Sequence, residues 1–181
     1  MANLSDKVDM PNSDIPDSDT PELAASIDLC VEDDNWTAVQ GLEKSITNAV
    51  RAALSQCDAS TRPISLTIVL DNNQRIEALN ANWRDKPKPT NILSFPAPEN
   101  STSDAGETYI GDLILAYDVI FDEANEQRKP LATHLCHLII HGVLHLLGFD
   151  HQNDEEAFVM EQLEIKAMVG LGLSDPYQMN S

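Results

Sequence analysis

Cysteine is scarce in this 181-residue chain: Cys30, Cys57 and Cys136 are far apart, odd in number, and form no C-x-x-C pair. That excludes a disulfide framework and points to buried thiols in a reducing cytoplasm. Long apolar runs are missing as well. No stretch approaches roughly 18 uninterrupted apolar residues, so no membrane-spanning segment is expected. The opening MANLSDKVDMPN lacks the basic lead and apolar run of a secretory signal, so a cytoplasmic location is expected. Positive charge is the third shortage. Eleven Lys and Arg face 30 Asp and Glu, a formal net charge of −19. This argues against simple electrostatic capture of nucleic acid or of an anionic membrane.

The acidic excess is uneven. Residues 1–35 carry ten acidic side chains against Lys7, which leaves 20 acidic and ten basic groups for the rest of the chain. Local basic clusters survive there, in WRDKPKP (83–89) and QRK (127–129). The first 25 residues are rich in Asp, Ser and Pro and too poor in apolar groups to offset the entropy of ordering. They read as a disordered acidic tail ahead of a single domain spanning 26–178.

Within that domain, SIDLCVE alternates apolar and polar residues as a strand does. A helix of about twenty residues is predicted from Thr37, with Val39, Leu42, Ile46, Val50 and Leu54 along one face. ISLTIVL (64–70) reads as a buried strand, and Asp71 as the N-cap of a short helix carrying Ile76, Leu79 and Trp83. NILSF (91–95) and TYIGDLILAY (108–117) are further strands, with Gly111 marking a bulge or a close backbone approach. Three helical segments follow: Asp118 to Arg128, Pro130 to Leu147, and Asp154 to Met168. Together these predict an α+β domain with one mixed sheet of about four strands and packed helices.

The chemistry concentrates in HGVLHLLGFDH (141–151), where three of the five histidines fall within eleven positions. On a helix, His141 and His145 are one turn apart on nearly the same face, so both imidazoles can reach one ion. Gly148 supplies the left-handed conformation that ends a helix, and the turn swings His151 back as a third ligand. Single histidines on apolar helices are ordinarily core residues bonded to backbone. Three at this spacing, with a glycine hinge, point instead to a metal, with zinc favoured and other divalent ions possible. Three protein ligands leave a fourth position open, the pattern of a catalytic site. His134 and His137, upstream on the same helix, read as supporting or core residues.

Zinc peptidases with this spacing carry a glutamate beside the first histidine as proton acceptor. Here that position is Gly142, which cannot serve, and Asp150 reads as a capping or solvated residue. A metal without that carboxylate suits phosphodiester cleavage in RNA, where the requirement is a cation to stabilise developing phosphorane charge. Arg84 is the candidate, since its planar guanidinium can grip a phosphate with two bonds. On the bare sequence, the reading as a surface arginine prevails.

HGVLHLLGFDH resembles the H-G-x-x-H-L-x-G-[YF]-D-H signature of the YbeY family of rRNA maturation endoribonucleases. LNANWRDKPKPTNILSFP (79–96), YIGDLILAYDVI (109–120) and GLSDPY (172–177) resemble further blocks of that family in the same order. The resemblance implies a zincin-like α+β fold and a metal-dependent, single-strand-specific endoribonuclease. The implied process is maturation of the 3′ end of small-subunit rRNA and ribosome quality control. It places zinc on His141, His145 and His151 and a functional arginine on Arg84. It implies single-stranded rRNA, the small ribosomal subunit and assembly factors as partners, with no membrane and no DNA. The alternatives are a ribosome-assembly factor with a mainly structural zinc and, less favoured, a zinc peptidase. The acidic extension of about 25 residues departs from the family pattern.

Overall fold

A computed structural model describes residues 25–57, 63–84 and 87–178, apart from the side chains of Trp83 and Arg84. Of the expected acidic tail, residues 1–24 lie outside the described residues, and Ala25 opens the first strand.

Among the described residues four strands form one mixed sheet in the order β1-β2-β4-β3. They are β1 (Ala25–Val31), β2 (Ile64–Asp71), β3 (Ile92–Pro96) and β4 (Thr108–Ala116). β2 lies parallel between β1 and β4, and β3 runs antiparallel along the far side of β4 as an edge strand. Among the described residues five α-helices accompany it: α1 (Leu42–Ser55), α2 (Asn73–Arg84), α3 (Tyr117–Glu126), α4 (Leu131–Leu146) and α5 (Asp154–Gly170).

Strand alternation decides what each face holds. Leu66, Ile68 and Leu70 of β2, Leu113 and Leu115 of β4, and Ile92 of β3 join the main core, which α1, α4 and α5 complete. Leu93 and Ala116 belong to a smaller cluster with Ile76 of α2, where Leu79, Phe95 and Ile114 also pack. α4 is the central helix, touching α1, α3, α5, β3 and β4. Its Leu135, Ile139, Ile140, Val143 and Leu144 are fully buried, each contributing roughly 1.5–3 kcal/mol of hydrophobic stabilisation. A helix anchored on that scale is a rigid base for side chains at its end.

Two glycines permit close approach. At Gly111, φ is +131°, and an added Cβ would lie 2.2 Å from the Phe95 carbonyl oxygen. The β2–β4 register slips between Ser65 and Thr67 at that point, where β4 carries the extra residue. The expected bulge is therefore also the place where β3 closes on β4. At Gly142, an added Cβ would meet Ile92 Cδ1 at 2.7 Å and Leu113 Cδ2 at 2.8 Å. Position 142 thus faces the sheet, and α4 lies as close to β3 and β4 as it does because no side chain intervenes.

Two local readings change. The single helix expected from Thr37 is broken: a 3₁₀ turn spans Asp34–Ala38, and Gly41, at φ +67°, precedes α1. The turn puts Trp36 fully inside, its Nε1–H donating to the Asp71 carbonyl at 3.1 Å. The α2 cap falls on Asn72, whose Oδ1 accepts from Arg75 N–H at 3.2 Å. Asp71 instead ends β2, is nearly buried, and pairs with Arg75 Nε at 3.2 Å.

Candidate metal centre

The end of α4 is shaped by its terminal turn. Phe149 N–H donates to the Leu144 carbonyl and Gly148 N–H to the His145 carbonyl, both at 3.0 Å. With Gly148 at φ +92°, this is the Schellman arrangement that a glycine makes inexpensive. The turn also orients a site residue, because the Phe149 carbonyl accepts from His145 Nδ1 at 2.9 Å. Asp150 Oδ1 then accepts from His151 N–H at 2.8 Å, and Asp150 Oδ2 from Gln152 at 2.6 Å. Asp150 braces the backbone of the returning loop, and these two bonds hold its carboxyl below the usual carboxylate range. The cap of α5 is Asn153, which accepts from Glu156 N–H at 2.9 Å.

His141, His145 and His151 converge, each offering one nitrogen, with these atoms within 4.8 Å of one another. His141 Nδ1 lies 2.8 Å from Glu164 Oε1 of α5. Glu164 is 1% exposed and has three donors: His137 Nε2 at 2.7 Å, His141 Nδ1, and the Tyr177 hydroxyl. Burial pushes its pKa up, but the three hydrogen bonds outweigh this and bring it down to about 2. Glu164 is thus an anion that only accepts, and the Phe149 carbonyl also only accepts. Both Nδ1 atoms must carry the proton, which leaves lone pairs on the two Nε2 atoms.

Those two Nε2 atoms face each other at 3.1 Å. Lone pairs at that distance repel unless a proton or a cation lies between them. Tetrahedral zinc with bonds of 2.0–2.1 Å would space its nitrogens about 3.3 Å apart, close to what is seen. Burial, then the neighbouring His141 and His151, lower the pKa of His145. It stays neutral, as a ligand must. The donor set therefore fits a divalent ion, and its all-nitrogen character suits zinc among other metals.

The three imidazoles line a cleft of ≈ 560 Å³ whose other wall is the β3 edge, through Asn91, Ile92, Ser94 and Pro96. No lysine or arginine is among the described residues of that lining. Arg84 ends α2, six residues before Thr90 at the cleft wall, with its side chain outside the described residues. Asn80 Nδ2 donates to the Lys88 carbonyl at 2.7 Å and holds part of that connection against α2.

The family model described as Endoribonuclease YbeY matches residues 30–172. This chain belongs to the endoribonuclease YbeY family. An Endoribonuclease YbeY from Azorhizobium caulinodans is 44% identical over 154 residues, covering 84% of this chain and 96% of that one. Another, from Rhodopseudomonas palustris (strain BisB18), is 41% identical and covers 86% of this chain and 94% of its own length. The solution structure of TM1509 from Thermotoga maritima aligns with 20% identity and a TM-score of 0.48, covering 84% of this chain and 99% of that chain.

The remaining histidines of this YbeY-family chain are held differently. His134 Nε2 lies 2.8 Å from Glu123 Oε2, and Asn91 Nδ2 donates to both Glu123 oxygens at 3.1 Å. Burial pushes the Glu123 carboxyl up, but the bonds from His134 and Asn91 bring it lower overall. Sequence reasoning missed Glu164. Its signal was an acidic residue on the apolar stripe of α5, four residues from Met160 and four from Met168, both buried.

Proposed function

We propose that this chain is a metal-dependent endoribonuclease that cleaves single-stranded RNA. The process we assign is rRNA maturation at the 3′ end of small-subunit rRNA, and ribosome quality control. His141, His145 and His151 hold one divalent ion, zinc by preference, and Arg84 contacts the scissile phosphate. One observation carries the metal reading: two Nε2 atoms 3.1 Å apart, with a third imidazole beside them, in an open cleft. The family assignment supports the RNA substrate, since the relatives are named endoribonucleases.

When bound, the ion supplies Lewis acidity towards phosphate and water. The chain's own residues do the rest. Glu164 and the Phe149 carbonyl fix the two imidazoles in the tautomer that offers Nε2. The β3 edge gives an extended wall against which a single strand can lie, with Ser94 as a hydroxyl donor facing it. The Arg84 guanidinium supplies the positive charge that the described residues of the cleft lining do not. Gly142 leaves the peptidase mechanism without its carboxylate, and no space exists there for one. The assigned partners are the small ribosomal subunit and its assembly factors, in the cytoplasm. No helix among the described residues is long and apolar enough to cross a membrane.

The test is cleavage of a single-stranded RNA by purified, nuclease-free protein beside Arg84→Ala and His145→Ala. Both variants should lose roughly 100-fold or more in rate, as expected when a group stabilising the transition state is removed. If both cut as fast as wild type, the activity belongs to a contaminant and the proposal fails.

A further inference from the structure

The C-terminal stretch GLSDPY and His137 have no part in the cleavage chemistry above, yet both reach the buried Glu164 that holds His141. After α5 the chain folds back onto the α3–α4 junction, where Lys129 Nζ donates to the Pro176 carbonyl at 2.7 Å. Asp175 Oδ1 accepts from Tyr177 N–H at 2.9 Å and fixes the turn that presents the tyrosine. The Tyr177 ring then meets His137 edge-on, with centroids 5.5 Å apart, and its hydroxyl donates to Glu164 Oε2. His137 Nε2 reaches the same oxygen at 2.7 Å. Both bonds fall on Oε2, which leaves Oε1 for His141 Nδ1 at 2.8 Å.

We propose that Glu164 is the positioning residue of the metal centre, and that His137 and the C-terminal Tyr177 set its rotamer so that Oε1 holds His141 in its ligating tautomer. The inference rests on the metal-centre reading above. Its physical basis is a division of labour between two oxygens. A carboxylate held by a single donor can still rotate, whereas two donors on Oε2 from different directions, α4 and the C-terminal strap, restrict its rotamer. Ligating imidazoles commonly hold their second nitrogen against a carboxylate, which fixes the ring and raises its basicity. Here the chain's last described segment takes part in fixing that carboxylate, so the strap and the ion should stabilise each other.

The experiment measures zinc dissociation constants, by competition with a chromophoric chelator, for untagged wild type, Glu164→Gln and Tyr177→Phe. The metal-free melting temperature of each is recorded alongside. Glu164→Gln should bind zinc about 10–100-fold more weakly, and Tyr177→Phe, which removes one hydroxyl from a half-exposed ring, several-fold more weakly. The metal-free Tyr177→Phe protein should melt within a few degrees of wild type. In zinc-loaded protein, the proton NMR signal of His141 Nδ1–H should lie far downfield in wild type and move upfield in Glu164→Gln. Affinities within about twofold of wild type in both variants, or an unmoved His141 signal, overturn the inference. If Glu164→Gln does not fold, Tyr177→Phe decides, and wild-type affinity there overturns it. Wild type that takes up no zinc sinks the metal-centre reading itself, a separate failure.

Discussion

Helix α4 carries four of the five histidines, and the two pairs on it have opposite fates. In His141 and His145 the nitrogen engaged by the protein is Nδ1, held by Glu164 and by the Phe149 carbonyl. In His134 and His137 it is Nε2, held by Glu123 and Glu164. The side chains are the same and so is the helix. What differs is which ring nitrogen the neighbours occupy. The far nitrogen, left open, can serve an ion; bound to a carboxylate, it ties helices together. The difference follows from position, since at this end of α4 the Phe149 carbonyl and Glu164 lie behind the two rings and an open cleft lies before them.

The largest effect should come from deleting a member of the open pair. His145→Ala should weaken zinc binding by more than about 100-fold, beyond the loss usual for supporting residues, and bring RNA cleavage to background. His134→Ala should keep its zinc affinity within about twofold and instead lose about 2 kcal/mol of stability, through a buried void and a lost charged hydrogen bond. Chelator competition and thermal melting on the two variants separate these outcomes. Equal loss of zinc in both would erase the distinction between the pairs.

Next comes Gly142→Glu, which restores the peptidase pattern in sequence. Because position 142 faces Ile92 and Leu113, the variant should lose about 3 kcal/mol or more, through overpacking and a buried carboxylate. It should gain no casein cleavage. A stable, proteolytic variant would show that the position faces the ion after all.

Gly148→Ala should cost less. Nothing lies within 4 Å of an added Cβ there, so the loss is conformational, about 1–2 kcal/mol for a side chain at positive φ. Zinc affinity should fall with it, because the same turn places the Phe149 carbonyl on His145. Unchanged melting would deny that the turn needs a glycine.

The smallest effect concerns the closed pair. The Glu123 carboxyl is held below its ordinary value. Its contribution to stability is therefore present above the unfolded value near 4.5 and lost as pH falls through the lower folded value. Glu123→Gln should flatten the decline in melting temperature below about pH 4.5. A decline as steep as in wild type would assign acid unfolding to other carboxylates.

Much of this was legible in the sequence, for identifiable reasons. The four strands and the last three helices follow from alternation and helical spacing over long apolar segments, where burial and propensity agree. The convergence of His141, His145 and His151 could be read because the spacing is local: two residues one helical turn apart, and a glycine that turns the chain back. Three features could not be read in this way. Gly41 sits inside a pattern in which Val39 and Leu42 fit a helix face, so periodicity ran through a break. Gly142 looked like a missing catalytic group because its real neighbours, Ile92 and Leu113, are about 50 and 29 residues away in the chain and close packing is visible only in the fold. Glu164 is charged, and charge by itself reads as solvent-facing. Its three partners come from α4 and the C-terminal segment, so only the tertiary structure makes it the most buried carboxylate of the site.

The central claim is that the open pair and His151 hold an ion. Metal analysis of untagged protein, beside His145→Ala prepared in the same way, tests it most directly, since a histidine tag would bring its own metal. The account predicts about one zinc per wild-type chain, the stoichiometry of an open three-histidine site, and its loss from the variant. Metal-free wild type, or the same metal content in both proteins, would contradict it.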